Sequence, residues 1–337
     1  VVYEYANRLV DRGHSVSVVH TSRGERYLSV PASLRRRGAH VARRLLGAHG
    51  PSPWFTLDSR VRQLWVPALT SRHVPDGDAM VATAWQTAEW AAGYPAVKGA
   101  KFYLIQGLET WSGPEVRVMA TWKLPLVKIV ISRALQEVAV SLGESCHYIP
   151  NGLDFEAFGV DTPIESRRPG SFLMLHHPKP WKGSRFGMIA LRRVRDLHPG
   201  AAIHLFGTGR EPSDLPPGFV YHRSPGPERL RALYNQASIF VSPSLTEGWP
   251  LPPAEAMACG CALAATDIGG HREYAVSGET ALLSPPGEPD ALAADLLRLV
   301  EDDGLRVQLA HGGLAHIRQF TWERAADAFE RALRTPA

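Results

Sequence analysis

Two carboxylates eight positions apart, Glu247 and Glu255, sit in the run Ser242-Pro-Ser-Leu-Thr-Glu-Gly-Trp-Pro-Leu-Pro-Pro-Ala-Glu-Ala-Met-Ala-Cys-Gly260, around a loop that opens a helix. The prolines set the local reading. Pro252 and Pro253 suit the first turn, where a missing N–H costs nothing, and Gly260 suits the residue just past the helix end. Upstream, Ile239-Phe-Val241 is a short apolar run closed by Ser-Pro, as a buried strand is. Strand, loop and helix start in that order aim free backbone N–H groups and the positive end of the helix dipole at a phosphate. A carboxylate beside a phosphate is unfavourable unless hydroxyl donors partner it. A sugar and a ribose each supply vicinal hydroxyls, so the expected ligand is a sugar joined to a nucleotide by a diphosphate.

Further groups could serve the same chemistry. Lys182 follows the apolar run Ser171-Phe-Leu-Met-Leu175 through the loop His176-His-Pro-Lys-Pro-Trp-Lys-Gly183, which puts it at the carboxyl end of a parallel strand, where open α/β sheets bind ligands. A cation there can neutralise a diphosphate as a glycosidic bond breaks. The backbone of Gly248, Trp249 and Leu251 offers N–H donors, whereas Pro250 has none. Trp249 reads either as a wall of the donor pocket or as a packed loop aromatic. Gly207-Thr-Gly209 lacks the third glycine of a dinucleotide fingerprint and runs into Pro212, so Gly207 is expected in a turn near the nucleotide. Asp76-Gly-Asp78 precedes a buried strand and reads as a turn, and no metal is expected. On the acceptor side, the loop after Lys101-Phe-Tyr-Leu-Ile-Gln106 offers Gln106, Glu109 and Trp111, an aromatic to stack on a sugar face and polar groups for its hydroxyls. The alternative is a surface loop with a satisfied carboxylate.

Strands and helices alternate along the chain, the pattern of parallel sheets covered on both faces. Strands are expected near 15–20, 63–66, 78–82, 101–105, 127–131 and 145–149, then near 171–175, 201–206, 219–222, 238–241, 261–265 and 280–283. Helices are expected over Val1–Gly13, Trp85–Ala92, Ser132–Leu142, Asp290–Asp302, Gly304–Gln319 and Trp322–Arg334. Residues 151–170, rich in Pro, Gly and charge, read as a linker.

The run from Tyr234 to Gly287 resembles retaining glycosyltransferases of family 4. It includes Ser-Leu-Thr-Glu-Gly-Trp-Pro-Leu-Pro-Pro, Glu-Ala-Met-Ala-Cys-Gly, Thr266-Asp-Ile-Gly-Gly270 and Gly278-Glu-Thr-Ala-Leu-Leu-Ser-Pro-Pro-Gly287. Ile149-Pro-Asn-Gly-Leu-Asp154, Trp181-Lys-Gly183 and Phe320-Thr-Trp-Glu323 add matches in the right order. The resemblance implies an α/β chain of the GT-B fold, two Rossmann-like domains with parallel sheets facing across a cleft. On that reading 1–150 is the acceptor-side domain, 151–170 a linker and 171–319 the nucleotide-sugar domain, and 320–337 is a helix crossing back to the first domain. It implies a metal-independent enzyme with no cofactor, moving a sugar from a nucleoside diphosphate-sugar to a hydroxyl of a glycan, glycolipid or other glycoconjugate. Its residues would be Glu247 and Lys182 in catalysis, with Glu255, Gly248, Trp249, Pro250, Leu251, His177 and Gly207 around the donor. Relatives often carry an arginine where His177 stands and a glycine where Pro250 stands, and Lys179 is a substitute cation for the former. Relatives also place a strand and a glycine-rich loop before a helix like Val1–Gly13, so the chain reads as an N-terminally truncated member. Other readings are a sugar-nucleotide epimerase or phosphorylase on the same fold, or a catalytically silent nucleotide-sugar-binding fragment.

Composition agrees. A chain of 337 residues that is 45% hydrophobic and 21% charged is ordinary for a globular protein with two cores. No run approaches the roughly 20 apolar residues that cross a bilayer, and no N-terminal segment has the charged-then-apolar form of a secretion signal, so a cytoplasmic place is expected. Cys146, Cys259 and Cys261 make no disulfide framework and are expected to be reduced. Net charge is +4, yet the first fifty residues hold nine arginines against three acids, and Leu34–Leu46 would make a basic amphipathic helix. Such a face suits peripheral contact with anionic lipid at the inner side of the membrane, or simply solvent. Nucleic acid is not expected, because no aromatics are interleaved with the arginines.

Overall fold

The computed structural model describes residues 1–21, 55–66 and 68–334, so the basic stretch Leu34–Leu46 lies outside the described residues. The chain divides into two compact units, Val1–Ile149 with Trp322–Ala337 and Pro150–Thr321. The strands and helices expected from the apolar alternation recur to within a residue or two.

Unit 1 contains β1 (Ser17–Thr21), β2 (Arg62–Val66), β3 (Ala79–Ala82), β4 (Ala100–Ile105), β5 (Val127–Val130) and β6 (Cys146–Tyr148). β1 and β2 pair in parallel, and β3 to β6 form a second parallel sheet in sequence order. Phe102, Tyr103, Leu104 and Ile105 are all buried, as expected of a parallel strand covered on both faces. The helix Trp322–Arg334 buries Trp322, Ala325, Ala326, Phe329 and Ala332, one stripe at helical spacing. That stripe meets the helix Val2–Asp11, where Tyr5 stacks on Phe329 with ring centroids 4.2 Å apart. Arg12 reaches Asp327 at 2.5 Å and Glu330 at 3.0 Å, and His14 reaches Glu330 at 2.8 Å. The first and last described helices thus belong to one unit.

Unit 2 is a single sheet of β7 (Ser171–Leu175), β8 (Ala202–Gly207), β9 (Phe219–Arg223), β10 (Ile239–Ser242), β11 (Ala262–Thr266) and β12 (Ala281–Ser284). Every pairing is parallel, in the order β12-β11-β10-β7-β8-β9. The chain winds outward from β7 to β9, returns across the sheet, and winds the other way from β10 to β12. The reversal falls between β7 and β10, the switch point at which doubly wound sheets open a crevice beyond their carboxyl ends. Phe172, Met174, Ile203, Leu205, Val241 and Ala264 pack under the helices Ser184–Leu197, Pro289–Glu301 and Asp303–Ile317 to form the core. Gly187 lets the first of these helices approach closely: a Cβ there would run into Met174 Sδ and Pro243.

Residues 151–170 are not an open tether. Arg167 is 3% exposed and donates to the carbonyls of Thr162, Ala237 and Cys259, at 2.8, 3.1 and 2.5 Å respectively. Ala237 and Cys259 cap the helices Pro227–Gln236 and Leu251–Ala258, so the buried guanidinium sits where two helix dipoles end negatively. Asn235 accepts from the N–H of Asp161 at 2.6 Å, closing the segment onto unit 2. Composition alone suggested a linker because the charge that anchors this segment is the same charge that suggests solvent.

Candidate active site

Both halves of the site hang from the switch point of unit 2. After β7 the chain makes a short 3-10 turn, Pro180–Lys182, closed by Gly183 at φ 62°. A Cβ on Gly183 would strike the carbonyl of Pro243, so glycine alone allows this loop to press against the one after β10. Leu245 N–H donates to Trp181 O at 2.7 Å and straps the two loops together. As a result Lys182 Nζ donates to Glu247 Oε1 at 2.6 Å, and Ser244 Oγ donates to the same oxygen at 3.0 Å. The pair is shielded but not sealed, with side chains 24% and 13% exposed. Lys182 and Glu247 line one crevice with Ser242, Ser244, Pro250 and Pro252.

The loop after β11 supports Glu247 from below. A Cβ on Gly270 would stand 2.7 Å from Glu247 O, so the two backbones are in close contact. The next residue, His271, is fully buried. Its Nδ1 lies 2.7 Å from Thr266 O and must carry the proton, which leaves Nε2 to accept from Ser242 Oγ at 2.8 Å. Loss of hydration pushes His271 down to about 4, keeping it neutral. Thr266 Oγ1 closes the network by donating to Ser244 O.

Glu255 stands on the helix Leu251–Ala258, whose eight residues, early prolines and closing Gly260 at φ 82° follow the sequence reading. Of its first three residues only Leu251 has an N–H, and no side chain caps the end. Tyr234 OH donates to Glu255 Oε2 at 2.9 Å. Burial pushes the Glu255 carboxyl up to about 7, with the Tyr234 bond pulling the other way. Tyr274 is buried behind the loop and donates to Pro250 O at 2.7 Å. Its phenol is held well above the ordinary value, first by burial and then by the charges of Glu247 and Glu255, so it senses both carboxylates.

His177 stands in the same loop as Lys182. Its N–H donates to Ser184 Oγ at 2.9 Å, and its ring Nδ1 accepts from Lys179 N–H at 3.1 Å. Partial burial and the charges of Lys182 and Lys179 push its pKa down, so it offers a neutral imidazole whose Nε2–H can donate. Lys179 Nζ lies over the Trp181 ring, 5.3 Å from its centroid. Gly207 ends β8 where a Cβ would run into His176 O, a close approach that holds the loops after β7 and β8 together.

Trp249 differs from the pocket-wall reading. It is 4% exposed, with its ring against Tyr274 and Phe320 at 4.9 and 5.7 Å. Set between Gly248 and Pro250, the indole packs inward, and its buried Nε1 has no hydrogen-bond partner among the described residues. Gly248 is buried beside it. In unit 1, Glu109 Oε2 accepts from Trp85 N–H at 2.7 Å and caps the helix Trp85–Ala92, so this carboxylate is already engaged. Trp111 is 44% exposed and lies over Gly107, while Gln106 is half-buried at the end of β4. Asp76 pairs with Lys98 at 2.5 Å in the turn before β3. Sequence reasoning did not single out Ser242, Ser244, Tyr234, Thr266 and His271 as individuals. Their signal was position, since all lie within the run Tyr234–Gly287 that carries Glu247 and Glu255.

Comparison with known proteins bears on the fold and on the sequence of unit 2. Residues 172–302 match the family model described as Glycosyl transferases group 1. The O-antigen chain mannosyltransferase B of Escherichia coli is 38% identical over 96 residues, 28% of this chain and 25% of that protein. The phosphatidyl-myo-inositol mannosyltransferase of Mycolicibacterium smegmatis is 25% identical over 206 residues, 58% of this chain and 53% of its own length. The chain therefore spans from a quarter to about half of these curated relatives. Among solved structures, Anabaena HepE in complex with UDP superposes with a TM-score of 0.75 at 15% identity, covering 99% of this chain and 94% of that one. Sucrose-phosphate synthase from Thermosynechococcus elongatus superposes with a TM-score of 0.69 at 17% identity, covering 95% and 98%. Identities this low speak for the fold alone, and that fold is GT-B. The sequence match falls within unit 2, where residues 172–302 are similar to glycosyl transferases group 1, in a chain of GT-B fold.

Proposed function

We propose that this chain is a retaining glycosyltransferase of family 4 that moves a sugar from a nucleoside diphosphate-sugar to a hydroxyl of a glycan, glycolipid or other glycoconjugate. The observation that carries the reading is the convergence of Lys182, from the loop after β7, on Glu247, from the loop after β10, at the switch point of a parallel sheet. Uridine nucleotides are the first donors to try, since solved neighbours were crystallised with UDP and UDP-glucose.

In this proposal Glu255 accepts from the ribose hydroxyls and Glu247 from hydroxyls of the transferred sugar. Lys182 and the His177 imidazole face the diphosphate, and the N–H groups of Gly248, Trp249 and Leu251 complete the cradle. Gly207 admits the nucleotide close to the backbone. Gln106 and Trp111 of unit 1 are the acceptor-side candidates of this reading. Reaction breaks the bond from the anomeric carbon to the phosphate oxygen while the acceptor oxygen bonds to the same face. The acceptor's proton passes to the departing diphosphate oxygen. No protein nucleophile or resident cofactor takes part, so the protein positions the partners and offsets the developing charge.

A thermal-shift panel of nucleotide sugars tests the proposal, because a ligand present at about 100 times its Kd adds about 2.7 kcal/mol to stability. At least one nucleotide sugar should raise the melting temperature of the native chain, and Glu255→Ala should abolish that rise. Should no member of the panel move the native protein, the reading is wrong.

A further inference from the structure

The donor site carries two acids, yet only one of them is held by a buried phenol. Tyr234 is wholly buried on the helix Pro227–Gln236, with its ring against Phe158, Phe206 and Phe240 at centroid separations of 5.8, 6.0 and 5.7 Å. Those three aromatics leave the ring one place to stand. Its OH donates to Glu255 Oε2 at 2.9 Å. We propose that Tyr234 is a positioning residue of the donor site: its phenol occupies one oxygen of Glu255, fixes the carboxylate's rotation, and leaves Oε1 to accept from the vicinal hydroxyls of a nucleoside. This inference rests on the glycosyltransferase reading of the same site and adds a residue to it.

The geometry gives the phenol a single role. Burial and the neighbouring Glu255 charge hold the Tyr234 proton in place well above the ordinary range, so the group is a fixed donor. A fixed donor favours the ionised carboxylate, opposing the burial that favours the neutral one. The titratable groups facing Glu255 are Tyr234 from its neighbouring helix, Tyr274 from the segment after β11, and Cys259 at the end of its own helix. Both Tyr274 and Cys259 are raised by burial and stay neutral near pH 7, while Arg167 and Arg231 act on Cys259. Protonation of Glu255 therefore stands out as the event that changes charge at this position near neutrality. Its sign follows. The ionised acid accepts two hydroxyls better than the neutral one, so nucleotide affinity should rise as pH climbs through about 7.

Tyr234→Phe removes one oxygen and keeps the ring. Calorimetric titration of UDP into native and variant protein from pH 5.5 to 9 should show the variant's affinity rising at higher pH, its midpoint moved up by at least half a pH unit. The loss should be several-fold at pH 6.5 and smaller at pH 9. A uniform loss across all pH values, or an unchanged profile, would overturn the proposal. The nucleotide selected by the thermal-shift panel replaces UDP if UDP does not bind; if no nucleotide binds the native chain, the functional reading fails, and carbon-13 carboxyl titration of Glu255 in both unliganded proteins decides the inference alone. A higher Glu255 midpoint in Tyr234→Phe supports it, and equal midpoints refute it.

Discussion

Lys182 and Glu247 neutralise each other, which holds both at modest cost in a half-shielded place. A diphosphate would compete for the same ammonium, and Glu247 would then be released to accept from sugar hydroxyls. On the proposed reading, Lys182 acts on the charge that develops on the departing diphosphate. Lys182→Met should therefore lower kcat about 100-fold or more, the cost typical of losing one preorganised donor, while KM changes less. Steady-state kinetics with whichever donor the thermal-shift panel selects would check it, and a loss confined to KM would move Lys182 from catalysis to ground-state binding. Residue types and spacing singled out Glu247, Glu255 and Lys182 as candidates, and the meeting of Lys182 with Glu247 is what the fold adds. Trp249 was not legible in the same way. An indole suits a pocket wall and a core equally, and only packing against Tyr274 and Phe320 decides between them.

Elements, not single residues, set the geometry of the pair. The turn Pro180–Lys182 and the loop after β10 touch because Gly183 has no side chain and a left-handed backbone. Gly183→Ala would force the Pro243 carbonyl away and strain the alanine. It should destabilise the protein by about 1–3 kcal/mol, within the range for strained backbone sites, and lower activity further by parting Lys182 from Glu247. Urea unfolding alongside rate measurements would separate the two effects, and native-like rates in the folded variant would refute the coupling. The strands and long helices of this unit were legible because buried parallel strands are apolar runs and covering helices are amphipathic. Segment 151–170 was not, since its anchor is the burial of one charged residue, Arg167, on carbonyls that lie 70 and 92 positions away. No local pattern announces a contact of that range.

At the level of the whole chain, Glu330 binds the last described helix to the first through Arg12 and His14, more than three hundred positions earlier. The His14 and Arg12 bonds hold its carboxyl down to about 2, against an ordinary value of 4.5. A depressed acid stabilises the fold above its unfolded value and loses that contribution as pH falls through the folded one. Glu330→Gln should thus melt earlier than the native chain at pH 7, and the gap should close between about pH 4.5 and 2. Thermal melts across that range would show it, and a gap independent of pH would assign the effect to packing instead. The amphipathic stripe of Trp322–Arg334 was plain in the sequence, whereas its docking partner came only through the resemblance.

Because unit 2 is one uninterrupted segment while unit 1 takes residues from either side of it, a chain emerging from a ribosome completes them in a set order. The sheet bearing Lys182 and Glu247 can close as soon as Thr321 has left the tunnel. The Tyr5 ring waits uncovered until Phe329 has emerged, more than three hundred positions later.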